Sequence, residues 1–151
     1  MWVATESISQ IEPLLDSARN LIEMAQDATH VLGEWSPTIL LGHVSDVDEQ
    51  VWLVRIQSML AAYRGGADAP KLQWWEPDEI ATLAKHEKSS LQFVANQLLF
   101  SRGKIARELQ NSKLSEWEAS ANHATFGEIS IYDVVKLILA HDMEHLAALE
   151  N

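Results

Sequence analysis

The stretch Ser130–Leu149, SIYDVVKLILAHDMEHLAAL, decides the reading of the chain. Ile131, Val134 and Ile138 step by three and four, the spacing that stacks side chains on one face of an α-helix. The same row continues through His141 and His145 to Leu149. Ser130 and Asp133 hold the spacing of a capping box, with aspartate in place of the preferred glutamate, so the helix is expected over 130–149. Two imidazoles four residues apart therefore lie one above the other on the face that the aliphatic residues bury.

Three more stretches repeat the helical period. Ser9 to Glu12 has capping-box spacing, and Ile11, Leu14, Leu15, Ala18, Leu21, Ile22 and Ala25 form a stripe. That predicts a helix over 9–30, ending near Gly33. Trp35-Ser36-Pro37 is a start signal: serine suits the N-cap, proline the first helical position, and Trp35 can staple onto Leu40. The helix predicted over 36–64 carries the row Leu40, His43 or Val44, Val47, Val51, Val54, and stops at Gly65-Gly66. Pro77-Asp78-Glu79 opens the next, expected over 77–110, with Ile80, Ala84, Leu91, Val94, Leu98, Ile105 and Leu109 inward and only Gly103 interrupting. No run alternates with period two between turn residues, so no sheet is expected. Four amphipathic helices argue an all-α four-helix bundle filling residues 1–151 as one domain.

Composition removes many functions. The 151 residues contain no cysteine, which excludes disulfides, thiolate nucleophiles, iron–sulfur clusters and every cysteine-based zinc site. Eleven basic against 22 acidic residues give a formal charge of −11, with no basic stripe to track phosphates. Neither nucleic acid nor an anionic membrane is expected as a partner. No apolar run approaches a bilayer span and the N-terminus has no signal-peptide pattern, which points to a cytoplasmic setting.

The histidines are where chemistry is sought. A buried imidazole without a partner is costly, and His43, His141 and His145 all fall on inward rows. A shared divalent ion accounts for all three, since neutral imidazole is a common ligand and three such ligands leave a coordination position open. The structural alternative is three half-buried histidines bonded to carbonyls or carboxylates. His141 to His145 also matches H-x-x-E-H, in which Glu144 would be a general base, but such proteases need a further metal ligand well downstream of the motif, and the given sequence runs only to Asn151.

Several motifs occur together in order: W-S-P-x-x-x-x-x-H-V-x-D from Trp35 to Asp46, Arg102, N-H-A-x-F-G from Asn122 to Gly127, and H-D-x-x-H-L from His141 to Leu146. As an ordered set they resemble the DinB-like superfamily across nearly the whole chain. The resemblance implies an up-down-down-up four-helix bundle. It also implies a divalent metal, zinc, nickel, iron or manganese, held by His43, His141 and His145. Members of known activity are metal-dependent transferases, isomerases or hydrolases that use a low-molecular-weight thiol, and many are homodimers. Where many members carry glutamine in H-L-x-Q, this chain has Ala148.

Other residues carry weaker expectations. Asp46 is a candidate fourth ligand or an acceptor behind one, and His123 is either a turn histidine or a group at the mouth of the site. Glu87 and Arg102 read as a structural ion pair with another helix, or Arg102 as the orienter of an anionic substrate. His30 and His86 read as solvated. The six tryptophans share no helical row and read as core, staple or interface residues, with Trp74-Trp75 a candidate dimer contact. Two functions remain: a metalloenzyme activating water or a thiol on a small substrate, or a non-catalytic stress-response or ligand-binding bundle.

Overall fold

The computed structural model describes residues 2–28 and 35–150, with side chains from residue 9 onward. Helix α1 (Trp2–Asp27) begins before the predicted cap and runs through Ser9, carrying Pro13 inside it. A proline removes one backbone bond, and here the helix continues on both sides of that gap. His30 and Gly33 lie outside the described residues.

The second predicted helix is present but changes gauge. Helix α2 (Pro37–Val47) starts as expected, with the Ser36 hydroxyl accepting from Ile39 N–H at 3.2 Å and Pro37 in the first turn. A π-helical turn (Asp48–Trp52) follows, in which Leu53 N–H bonds back to the Asp48 carbonyl, and α3 (Leu53–Gly65) completes the rod. The wider turn takes one extra residue and slips the buried row by one position. Trp52, Ile56, Met59 and Leu60 are therefore buried, while Val54, expected inward, is 52% exposed. Gly66, at φ 66°, ends α3 in the left-handed conformation.

The third predicted helix is two. Helix α4 (Glu79–His86) opens on the Asp78 cap, and α5 (Leu91–Gln110) starts afresh where the Ser90 hydroxyl accepts from Phe93 N–H at 3.1 Å. The break falls at Glu87–Ser90, where serines compete for backbone bonds; Ile80 consequently lies on the surface, and so does Glu87. Helix α6 (Ile131–Glu150) starts as read, with Ser130 and Asp133 exchanging side-chain-to-backbone bonds at 2.8 and 3.3 Å.

The expectation of no sheet is wrong. Strands β1 (Lys71–Leu72), β2 (Ser120–His123) and β3 (Gly127–Ser130) form a small sheet in the order β1-β2-β3. β1 runs parallel to β2, and β2 and β3 make a hairpin that turns at Gly127, φ 76°. Strands of two to four residues are too short to show a period, and the pairing comes from tertiary contact. The sheet ties the loop after α3 to the loop before α6, and so fixes Trp74, Trp75 and His123 at one end of the bundle.

The buried apolar residues fall into two groups. One joins Leu14, Val51, Ile56, Ile105 and Ile138; the other joins Ala18, Leu21, Val44, Leu98 and Leu149. Between the two stand the polar residues Ser17, Asp48, Arg102 and Asp142. Arg102, wholly buried, donates to both carboxylates and to the Leu14 carbonyl at 2.7–3.2 Å. Ser101 also donates to Asp48, and Ser17 to Asp142.

Candidate metal centre

His43 of α2 and the pair His141 and His145 of α6 converge inside the bundle. The His43 ring centre lies 5.5 Å from that of His141 and 5.0 Å from that of His145. His141 and His145 bring their Nε2 atoms to 3.1 Å. One nitrogen from each of the three lies within 4.8 Å of the other two, so this set can hold a single ion.

Electrostatics keep the cluster neutral. Burial, and then its two histidine neighbours, push His43 down to about 3; burial and His141 push His145 to about 4. Burial also lowers His141. At neutral pH all three rings present lone pairs, as metal ligation needs. Two Nε2 atoms at 3.1 Å repel unless one donates or a cation lies between them, and His141 Nδ1 is buried with no hydrogen-bond partner among the described residues. The His141–His145 separation matches that of imidazoles sharing an ion, whose nitrogens stand about 3–3.5 Å apart around a metal at about 2.0–2.1 Å, and His43 brings a nitrogen within 4.8 Å of both.

A cavity of about 320 Å³ opens beside His43 and His141. Trp52, Trp74, Trp75 and Phe126 form aromatic walls, with Arg55, Glu76, His123 and Glu144 supplying polar atoms. Trp35 packs on the His43 ring at 4.7 Å and Trp75 stacks parallel to it at 6.3 Å. Four of the six tryptophans thus gather around one imidazole cluster. They come from three separate segments and share no helical row, so no periodicity could have revealed them.

The remaining sequence candidates divide. His123 lines the cavity as a turn histidine: its Nδ1 accepts from Thr125 N–H at 2.9 Å and Phe126 N–H at 3.2 Å, which leaves Nε2 as the protonated nitrogen. Glu144 lines the cavity from an exposed position. Asp46 lies on the other side of His43 with both oxygens engaged, by Lys85 Nζ at 2.6 Å and His86 Nε2 at 2.7 Å. His86, expected in solvent, is 2% exposed, and its ring lies where a Cβ on Gly42 would sit, 2.5 Å from that position. Arg102 does not line the cavity; its guanidinium is spent on Asp48 and Asp142, and its pairing is with these rather than with Glu87. Burial pushes Asp48 up to about 6 against the opposing pull of Arg102. Burial alone would lower Arg102, but the two carboxylates more than offset it and raise it. Sequence reasoning misses Asp48 and Asp142, whose helical rows are otherwise filled by aliphatic residues.

Comparison with known proteins agrees on the fold. YfiT from Bacillus subtilis, described as a probable metal-dependent hydrolase with an unusual four-helix bundle topology, superposes with a TM-score of 0.73 at 15% identity. The match covers 95% of this chain and 83% of that one. A mycothiol-dependent maleylpyruvate isomerase, solved as a histidine-to-alanine mutant, gives a TM-score of 0.65 at 10% identity over 95% of this chain, which spans 60% of the isomerase. No curated protein matches by sequence. The family model of the DinB superfamily matches residues 11–149, and the chain belongs to that superfamily.

Proposed function

We propose that the chain is a divalent-metal protein that uses His43, His141 and His145 as ligands and catalyses hydrolysis or thiol transfer on a small molecule held in the adjoining cavity. The observation that carries this is the convergence of three neutral imidazoles, one buried and two half-buried, at the end of an aromatic-walled cavity. A bound divalent ion would supply Lewis acidity and favour the hydroxide or thiolate form of a water or thiol. The chain's own residues do the rest. Trp52 and Trp75 keep bulk water from the imidazoles, and the His123 Nε2–H offers a donor with its tautomer fixed by two backbone N–H groups. The Glu144 carboxylate at the rim is the cavity's candidate proton acceptor. The similar structures described as a probable metal-dependent hydrolase and a mycothiol-dependent isomerase support this class of chemistry. Zinc, nickel and iron suit an all-imidazole set best.

The test is turnover. Tag-free protein loaded with each metal in turn is offered small esters and electrophiles, with and without low-molecular-weight thiols. Turnover by the parent and none by His141→Ala supports the enzyme. Stoichiometric metal with no turnover across the panel favours the ligand-binding alternative, toward which Ala148 points.

A further inference from the structure

Arg55 stands out among the cations of this chain. It leaves α3 three residues after Trp52; its Nη2 donates to the Gln73 carbonyl at 2.6 Å, and its guanidinium lies 5.8 Å from the Trp52 ring centre. Arg19, Arg64 and Arg102 each hold a carboxylate in an ion pair, and Arg107, which has none among the described residues, is exposed to water. Arg55 has none within 4.0 Å among the described residues, although the chain carries twice as many acidic as basic groups. It is nonetheless partly buried, and burial lowers its pKa with no acidic neighbour to counter it. A cation drawn out of water without a counter-charge is costly, and an incoming anion removes that cost.

Its position says where such an anion would lie. The Trp52 indole that Arg55 covers stands 6.1 Å from the His141 ring, so the guanidinium and the imidazole cluster flank the same aromatic wall of one cavity. Arg55 is also near enough to His123 to add to the lowering of its pKa by burial. Of the two carboxylates lining the cavity, Glu76 accepts from Trp74 Nε1 at 3.0 Å and Glu144 lies on an exposed face, so neither neutralises the arginine. We infer that Arg55 is the anion-recognition residue of this cavity, and that its ligand is a small carboxylate with a flat apolar body. The guanidinium fork matches a carboxylate in two parallel bonds, Trp52, Trp75 and Phe126 cover the apolar body, and the far end of the ligand faces the imidazoles. The inference rests on the cavity being the substrate site proposed above, and names the class of molecule it takes.

The test uses full-length tag-free protein stripped of metal, so that no ion competes for the carboxylate. 3-Phenylpropionate and its neutral analogue 3-phenylpropionamide are titrated while the tryptophan indole N–H signals are followed by NMR. The acid should bind at least about tenfold more tightly than the amide, the factor expected of charge-assisted hydrogen bonds, and should shift indole signals. Arg55→Gln should bring the acid down to the affinity of the amide and leave the amide unchanged, which also shows that the variant is folded. Arg55→Lys, keeping the charge without the fork, should fall between. Equal affinities in the parent, no indole shift with either probe, or a preference that survives Arg55→Gln would overturn the assignment. A zinc titration of the same parent sample separates the two claims. Zinc uptake without a carboxylate preference sinks the role of Arg55 alone, and a carboxylate preference without zinc uptake sinks the metal reading alone.

Discussion

Replacing Arg102 by methionine should unfold much of what holds the bundle together. The side chain is wholly buried and donates five hydrogen bonds: two to Asp48, two to Asp142 and one to the Leu14 carbonyl. Methionine keeps most of the volume but leaves two buried carboxylates with only their serine donors, from Ser101 and Ser17. Breaking one buried ion pair by removing a single partner costs about 3–5 kcal/mol, and the loss here should reach at least the middle of that range at about pH 8. The deficit should depend on pH in a definite direction. Burial already raises Asp48 to about 6 while Arg102 pulls it down, so without the arginine its folded-state pKa rises further. The cost of its charge is felt above that pKa and disappears as pH falls, so the gap between variant and parent should narrow by about pH 5.5. Replacing Asp48 and Asp142 by leucine in the same variant should recover most of the loss, because an apolar trio is no worse than a buried ionic one. Urea unfolding of parent and variants at both pH values measures all of this. A loss below about 1 kcal/mol, or one equal at the two pH values, would refute the reasoning.

Without metal, the parent should lose stability as pH falls from about 6.5 toward 4, because His43 and His145 take up protons in the unfolded chain but resist them when folded; the slope should approach about 1.4 kcal/mol per pH unit for each group, and His43→Gln/His145→Gln should flatten it in urea titrations. Gly42→Ala should drive its new methyl into the His86 ring, 2.5 Å away, costing about 1–3 kcal/mol by thermal unfolding; an unchanged melting temperature would show that α4 yields freely. His86→Ala, which strips a buried partner from Asp46, should also destabilise, by roughly 1–3 kcal/mol, where a solvated histidine would cost nothing. Nickel bound by the three histidines should quench tryptophan fluorescence, because Trp35 and Trp75 lie against His43; no quenching at full occupancy would place the ion elsewhere.

Apolar rows with period 3.6 are local and redundant, so the helices of the bundle are readable, as are the caps at Ser36 and Ser130 and the inward placement of His43, His141 and His145. The π-helical turn is not, because one extra residue leaves no compositional mark and shows only as Val54 turned outward and Trp52 turned in. Nor is the sheet, whose strands are shorter than any period. His86 looks solvated beside Lys85, Glu87 and Lys88, yet its burial depends on the bare backbone of Gly42 forty-four positions earlier. The cavity walls come from Trp52, Trp75 and Phe126, three segments that only the folded chain brings together. The Asp48–Arg102–Asp142 layer is half visible: Arg102 reads as inward, but its acidic partners sit on rows otherwise filled by aliphatic residues.

The central claim is that three imidazoles share one ion, and a metal titration tests it most directly. Tag-free parent, stripped and then titrated with zinc by calorimetry, should take up one ion per chain and melt at a higher temperature when loaded, since a ligand stabilises only the state it binds. Binding should weaken as pH falls through the histidine range, because protons compete for the same lone pairs. His141→Ala and His145→Ala should each lose both the stoichiometric uptake and the melting shift. A parent that binds no zinc, or a His141→Ala variant that binds it as tightly as the parent, would contradict the account.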